Sequence, residues 1–343
     1  MLASALLAWA WATVLTSADA AADTPPPAQA ALTQAADYSE SHRGQTILVL
    51  HNGNVIFERY ANGGSIETRQ MLASGSKSFV GTAAAAAVAD GILNLDDRAG
   101  ESLHEWQEDV EKASITFRQL LTLTSGLTAS SPRSAVRGQA WDEVIDLPME
   151  FAPGEKFDYG ANQLNAFACA LERKLTDESF EDYLKRRVFD VLGVTVEWRF
   201  RCADGHPQVG GGAFMTARDW GTFGEFIRLG GVWNGEQVIA AEPLAECFQG
   251  SEQNPAYGLT WWLNDPVPPR LLLTIPLLRR EWSGVLADDR IPDDLVAAAG
   301  AGKQRLYIIP SRQLVIVRHG NLRGEGPAFA DEEFLRLLFV EQD

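Results

Sequence analysis

The 343-residue chain has few cysteines, few histidines and comparatively few basic residues. Its three cysteines allow one disulfide at most, so the fold cannot depend on a disulfide framework. Cys169 lies in an apolar helical stretch and is predicted to be a buried thiol, whereas a pairing of Cys202 with Cys247 is left open. Five scattered histidines without paired spacing give no support for a metal site. With 46 acidic residues against 29 basic ones, the formal charge of -17 argues against nucleic acid and anionic membranes as partners.

The N-terminal segment also lacks charged side chains. It contains the apolar run Leu2 to Leu15 and leads to the small-x-small sequence Ala18-Asp19-Ala20. This pattern predicts a signal peptide over residues 1–20, and therefore export to the periplasm or the extracellular space. The alternative is an uncleaved membrane anchor, although the run is short for a span of about 20 residues. Residues 21–35, rich in Pro and Ala, are predicted to be a disordered spacer ahead of the folded domain, residues 36–343.

Strand patterns lie at both ends of the chain, and helix patterns lie between them. Thr46–Tyr60 predicts a β-hairpin around the turn Asn52-Gly53-Asn54, and Gln304–Ile309 and Leu314–Arg318 predict two more strands. This order indicates an α+β domain, in which the N- and C-terminal portions build an antiparallel sheet flanked by helices. A mostly helical subdomain is inserted at about residues 74–215. Further elements are helices predicted over residues 178–192, 217–230 and 331–340, and a strand over residues 258–263.

The most informative motif is Ser74-Gly75-Ser76-Lys77, which precedes the apolar, Ala-rich run Phe79–Ala89. If a helix begins near Ser74, Ser74 and Lys77 lie on one face, so the hydroxyl and the amine can meet. An amine that takes the proton of a serine hydroxyl is one way to activate the serine as a nucleophile. The helix N-terminus would also stabilise an oxyanion that forms there. The alternative is a serine N-cap followed by a solvated lysine.

Two later segments carry candidate catalytic groups. Tyr159 follows the turn Pro153-Gly154, and a tyrosine whose phenolate is stabilised by an ammonium group can act as a general base toward a serine. A tyrosine packed at the end of a strand or loop is the alternative. Gly300-Ala301-Gly302 precedes the strand Arg305–Ile309, and glycines there let a substrate lie close to a backbone N–H. An ordinary turn is the alternative for this segment.

Taken in order, these segments resemble the serine β-lactamase-related hydrolases. That group includes class C β-lactamases, D,D-peptidases of the penicillin-binding type, family VIII-type esterases and 6-aminohexanoate-dimer hydrolases. The resemblance extends from about Thr46 to the C-terminus and implies a β-lactamase/transpeptidase-like fold. Besides Ser-x-x-Lys, it rests on the sequences ITFRQLLTLTSGL (115–127), PGEKFDY (153–159), GGAFMTARD (211–219) and YGLTWW (257–262).

The resemblance also implies roles for individual residues. Ser74 corresponds to the acylated nucleophile, Lys77 to its hydrogen-bonded activator, and Tyr159 to the general base. The oxyanion hole corresponds to the backbone N–H groups of Ser74 and Ala301. The implied partner is a small-molecule ester or amide, and neither a metal nor a cofactor is expected.

The second motif departs from the family pattern. The family usually has Tyr-x-Asn, whereas this chain has Ala161 at the asparagine position. Asn162 follows one place later, and Asn165 fits a subgroup pattern in which an asparagine follows the tyrosine by six. Either is a candidate for the amide that contacts the substrate, and a structural role at a helix start is the alternative.

The third motif departs as well. The usual Lys or His is replaced by Ala298, which together with Gly300 and Gly302 forms the candidate substrate-binding segment. Arg305 is a candidate for a substitute cation. Strand alternation alone does not determine which face of the sheet its side chain lies on.

The leading interpretation is an exported serine hydrolase that cleaves an ester or amide bond through a Ser74 acyl-enzyme. The first alternative is a β-lactamase or D,D-peptidase, whose substrates carry a carboxylate that the cation missing at Ala298 would bind. The second alternative is a non-catalytic binding or scaffold relative. Intact Ser74, Lys77 and Tyr159 argue against the scaffold, whereas Ala161 and Ala298 argue modestly for it.

Overall fold

A computed structural model describes residues 24–130, 138–275, 290–323 and 325–339, together with Leu278 and Trp282. The predicted signal peptide lies outside the described residues. Within the described part of the chain, no helix is long and apolar enough to cross a membrane.

The described residues form strands, helices and the loops between them. The strands are β1 (Gly44–His51), β2 (Asn54–Tyr60), β3 (Gln70–Met71), β4 (Glu197–Trp198), β5 (Ala213–Met215), β6 (Val232–Trp233), β7 (Glu236–Gln237), β8 (Trp262–Leu263), β9 (Val296–Gly300), β10 (Gln304–Ile309) and β11 (Leu314–Gly320). The helices are α1 (Gln29–Ser41), α2 (Lys77–Ala89), α3 (Phe117–Leu121), α4 (Trp141–Ile145), α5 (Asn162–Glu172), α6 (Phe180–Leu184), α7 (Asp190–Leu192), α8 (Ala217–Arg228), α9 (Ala241–Ala245), α10 (Pro269–Thr274) and α11 (Asp331–Leu338).

The main sheet is antiparallel, with the strand order β2-β1-β11-β10-β9-β8. β1 pairs with β11, with Leu48 opposite Val317, so the first and last parts of the chain meet in the middle of the sheet. The predicted α+β architecture is therefore confirmed. The predicted hairpin is confirmed too: Asn52 (φ 47°) and Gly53 (φ 76°) give the two positive φ values of a tight turn that suits twisted strands.

Helices cover both faces of the sheet. α8 lies directly on one face, because a Cβ atom on Gly224 would be only 2.7 Å from the side chains of Leu306 and Val315. The opposite face packs against α1, where the buried Arg318 donates a hydrogen bond to Ser39 Oγ (3.0 Å). The side chains of β11 are consequently buried on both faces, and the strand is apolar over most of its length.

The N-terminal boundary differs from the prediction. α1 begins at Gln29, inside the segment 21–35 that was predicted to be a disordered spacer. Leu32, Ala35 and Ala36 are buried and recur at helical spacing, so this segment has an apolar stripe that packs on the domain. The prediction is wrong for residues 29–35, because alanines that suit a flexible spacer by composition are also strong helix formers.

The residues between β3 and β5 contribute mainly helices, with α2 at their centre. α2 is buried from Lys77 to Ala87, as the Ala-rich run predicts, and it stops just before Gly91 (φ 71°). The predicted strand over residues 258–263 is shorter than expected, since Thr260 adopts a φ of 69° and only Trp262–Leu263 joins the sheet.

All three cysteines are free and buried. Cys169 is therefore the buried thiol that was predicted. The pair Cys202–Cys247 is not formed, and the Cys247 thiol instead donates to the backbone oxygen of Gly81 (3.4 Å).

Candidate active site

Ser74 lies in a 3-10 turn, Ala73–Ser76, that leads directly into α2. Ala73 has a φ of 48°, a left-handed conformation that non-glycine residues seldom adopt and that recurs at functional sites. The buried hydroxyl of Ser76 donates to Ala73 O (2.8 Å) and thereby fixes the turn. The sequence prediction of a helix near Ser74 is close, although the α-helix itself starts at Lys77.

Lys77 reaches back over this turn to Ser74. Its Nζ donates to Ser74 Oγ (3.0 Å) and to Gly210 O (2.7 Å). The residue is only 4% exposed, and burial lowers the pKa of its amine to about 7. An amine with this pKa is uncharged in about half of the molecules at neutral pH, so it can accept the proton of Ser74.

Tyr159 faces the same lysine. The Nζ of Lys77 lies 5.0 Å from the centroid of the Tyr159 ring, and the tyrosine is 8% exposed. Its ring is surrounded by aromatic side chains, with centroids 5.5 Å away for Trp262 and 6.0 Å for Tyr257. These contacts fix the ring in one orientation beside the Ser74–Lys77 pair.

The end of β9 packs against the backbone of the Ser74 turn. A Cβ atom on Gly300 would overlap Leu72 O and would lie 3.0 Å from the backbone N of Ser74, so only glycine fits there. Ala301 follows Gly300 at the start of the turn to β10. Gly302 (φ 78°) serves that turn, and a Cβ atom on it would face Leu322 rather than Ser74.

The second-motif region lies at the start of α5. Ala161 packs against Gly210, whose carbonyl accepts from Lys77, so the alanine occupies a position beside the lysine. Asn162 is buried, and its Nδ2 donates to Thr128 O (3.0 Å), a contact that anchors the helix start. Asn165 is buried one helical turn beyond Ala161, and its Oδ1 has no hydrogen-bond partner among the described residues.

The third-motif position contributes no cation. Ala298 is 1% exposed and lies on the same strand face as Gly300. Arg305 pairs with Ala299 across the strands, and its guanidinium forms an ion pair with Asp331 in α11. The suggestion that Arg305 replaces the missing cation is therefore wrong, because its side chain is held on the opposite side of the sheet.

Sequence reasoning missed the acceptor that holds Lys77. Gly210 lies 133 residues from Lys77 along the chain, just before residues 211–219, one of the segments on which the family resemblance rests. The run of three glycines, Gly210-Gly211-Gly212, was a signal for a close backbone approach. A Cβ atom on Gly210 would overlap Ala161 and lie 3.5 Å from Lys77 Nζ, so a larger residue would crowd the lysine.

These features define a class of protein. A Ser-x-x-Lys pair with a buried lysine lies where a 3-10 turn leads into a central helix, and the end of strand β9 of the antiparallel sheet lies against the backbone of the serine turn. This arrangement is the β-lactamase/transpeptidase-like fold that the motifs implied.

The family follows from comparison with known proteins. The Beta-lactamase family model matches residues 29–341, and the chain belongs to this family of serine hydrolases. An uncharacterized protein of Alkalihalophilus pseudofirmus, BpOF4_21049, is 25% identical over 313 residues, or 83% of this chain and 86% of the relative.

Two solved structures share the fold. A D-stereospecific amidohydrolase from Streptomyces sp. superposes with a TM-score of 0.65 at 15% identity, over 91% of this chain and 99% of that one. EstCE1, described as a hydrolase with promiscuous acyltransferase activity, superposes with a TM-score of 0.65 at 16% identity, over 97% and 98%. The likeness confirms the predicted fold.

Proposed function

We propose that this protein is an exported serine hydrolase that cleaves an ester or amide bond of a small molecule through an acyl-enzyme on Ser74. The observation that carries the proposal is the contact of Lys77 Nζ with Ser74 Oγ (3.0 Å), made by an amine whose pKa burial lowers to about 7. Among the described residues, no carboxylate forms a hydrogen bond with Lys77 Nζ, so no ion pair offsets the cost of burying this amine. A catalytic role for the amine explains this burial better than a structural one. Membership of a family of serine hydrolases supports the same conclusion.

The reaction would proceed in two stages. Lys77, assisted by Tyr159, takes the proton of the Ser74 hydroxyl while its oxygen attacks the substrate carbonyl carbon. The negative charge moves to the carbonyl oxygen, where the N–H groups of Ser74 and Ala301 stabilise it. When the tetrahedral adduct collapses, the bond to the alcohol or amine breaks and the leaving group takes the proton. Water then attacks the acyl-enzyme by the same route and releases the acid.

An enzyme is distinguished from a scaffold by covalent labelling. A fluorophosphonate should add one phosphonyl group to the wild type, detected as a mass increase of the intact protein and assigned to Ser74 by peptide mapping. Ser74→Ala should gain no mass, and the exposed Ser65→Ala should label like the wild type. A wild type that stays unlabelled would establish the scaffold alternative.

Neutral esters or amides are the proposed substrates. A charge-assisted hydrogen bond to a substrate carboxylate is worth about 1.5–3 kcal/mol, so the loss of the third-motif cation at Ala298 should lower activity on carboxylate-bearing substrates about 10- to 100-fold. The names of the two structural neighbours, an amidohydrolase and a hydrolase with acyltransferase activity, are compatible with both bond types.

The family name keeps β-lactamase or D,D-peptidase activity as the second candidate. The comparison to make is kcat/KM for a short-chain aryl ester against a cephalosporin under one set of conditions. The ester should be the better substrate. A kcat/KM for the cephalosporin equal to or above that for the ester would make β-lactamase the leading candidate activity.

Export is proposed from the apolar run Leu2–Leu15 and the sequence Ala18-Asp19-Ala20. Mass spectrometry of the protein recovered outside the cytoplasm should find a mature N-terminus near Ala21. An intact Met1 in a membrane fraction would favour the anchor instead.

A further inference from the structure

A buried ionic cluster lies behind the turn that follows Gly300. Asp331, the first residue of α11, accepts hydrogen bonds from Lys303 Nζ (2.8 Å), from Tyr307 Oη (2.6 Å) and from the guanidinium of Arg305. Burial would raise the pKa of the Asp331 carboxyl, but the charges of Arg305 and Lys303 outweigh it and lower this pKa. The carboxylate is therefore ionised and holds Arg305 in place.

Arg305 has a second set of contacts that a simple ion pair does not require. Its Nη1 donates to Gly300 O (3.1 Å) and to Gln304 O (3.0 Å), while Nε and Nη2 donate to the carboxylate of Asp331. The guanidinium thus connects the first helical residue of α11 to the carbonyl that ends β9. Arg305 is fully buried, so water does not compete for these contacts.

The carbonyl of Gly300 belongs to the same peptide group as the N–H of Ala301. Because a peptide group is planar and trans, a hydrogen bond that fixes the carbonyl also fixes the direction of the N–H on its opposite side. A cationic donor on the carbonyl oxygen withdraws electron density from the amide and makes its N–H a stronger donor. Gly300 itself lies against the backbone N of Ser74.

We propose that Arg305, held by Asp331, is a positioning residue that orients and polarises the Gly300–Ala301 peptide toward the substrate oxyanion. The inference rests on the proposed function, in which the N–H of Ala301 is an oxyanion donor. Arg305 acts from the opposite face of the sheet and does not touch the substrate. Its contribution is largest when negative charge develops on the carbonyl oxygen, so it should affect the transition state more than substrate binding.

The test compares Arg305→Met with the wild type per active site, titrated with a fluorophosphonate. With a short-chain aryl ester, kcat should fall about 10- to 100-fold with little change in KM, less than the roughly 10²- to 10³-fold cost of deleting an oxyanion donor. Affinity for an aryl boronic acid, which forms a tetrahedral adduct on the serine, should fall by a similar factor. The control is Arg228→Met, which removes the buried ion pair with Glu225 (2.6 Å) and should leave both quantities unchanged.

Arg305→Lys covers the case in which Arg305→Met does not fold. Lysine keeps a charge for Asp331 but lacks the fork that also reaches Gly300 O, so the variant should fold and show a reduced kcat and boronate affinity. Normal kcat and boronate affinity per active site in whichever variant folds would overturn the inference while leaving the proposed function intact. An unlabelled wild type would instead overturn the proposed function, and this inference with it.

Discussion

Replacing Lys77 with methionine should stabilise the protein at low pH while abolishing catalysis. Methionine has nearly the length of lysine and carries no charge, so it fills the same buried space. Its structural cost is the loss of two hydrogen bonds, from Nζ to Gly210 O and from Nζ to Ser74 Oγ. The Ser74 residue is half-buried, so the buried Gly210 carbonyl carries most of this cost. An unpaired buried carbonyl costs about 1–3 kcal/mol.

The gain comes from the depressed pKa of Lys77. Burial lowers this pKa from 10.5 to about 7, so the folded state binds fewer protons than the unfolded state between these values. Stability of the wild type therefore rises with pH across that window. At 1.36 kcal/mol per pKa unit, the charge penalty is about 5 kcal/mol at pH 6 and about 2 kcal/mol at pH 9.

The assay is urea unfolding of the wild type and of Lys77→Met at pH 6 and pH 9. The variant should be more stable than the wild type by about 2–4 kcal/mol at pH 6 and nearly equal to it at pH 9. Lys156→Met, at an exposed lysine, is the matched control for the exchange of lysine for methionine. A stability difference between Lys77→Met and the wild type that does not change with pH would refute the assignment of a depressed pKa to Lys77.

Three further outcomes follow from the same geometry. Ser74→Ala should remain folded and lose roughly 10⁴-fold or more in ester hydrolysis; retention of a tenth of the wild-type rate would contradict the acyl-enzyme. Tyr159→Phe should keep its melting temperature and lose about 10²- to 10⁴-fold in kcat/KM, and a near wild-type rate would leave Lys77 as the sole base. The wild-type kcat/KM should rise with pH around an apparent pKa of about 7, since only neutral Lys77 accepts a proton. A profile that is flat from pH 6 to pH 8 would exclude Lys77 from that role.

Local patterns in the sequence were sufficient for much of the fold and for the centre of the site. The hairpin of β1 and β2 follows from two β-prone runs that flank the turn Asn52-Gly53, and the contact between Ser74 and Lys77 follows from helical spacing. A capping box at the start of α3 is equally local, with the Thr116 hydroxyl accepting from the N–H of Gln119. Each of these features involves residues that are close together in the sequence. Local helix, strand and turn propensities and the spacing of side chains therefore determine each of them.

Features that depend on distant partners were not predictable. Gly210 O binds Lys77 across 133 residues, and no local pattern reports such a pairing. Arg305 lies in a strand that is buried on both faces, so the apolar pattern of β10 does not show which way a given side chain points. The direction of Arg305 is decided by Asp331, 26 residues later, at the start of a helix that packs behind the sheet.

The charge distribution around the site bears on which substrates the proposed hydrolase would accept. The chain has a net charge of -17, and burial lowers the pKa of Lys77 to about 7. The two cations nearest the end of β9 in sequence, Lys303 and Arg305, are both bound to Asp331. A substrate carboxylate would therefore meet an acidic protein and no cation at Ala298, so both long-range and local electrostatics would oppose its binding. The buried aromatic side chains of Tyr257 and Trp262, by contrast, pack against Tyr159 and make its surroundings apolar. The proposed hydrolase would therefore favour substrates with neutral acyl groups because its charge distribution disfavours anionic ones. This selectivity requires no specific contact with the neutral acyl group.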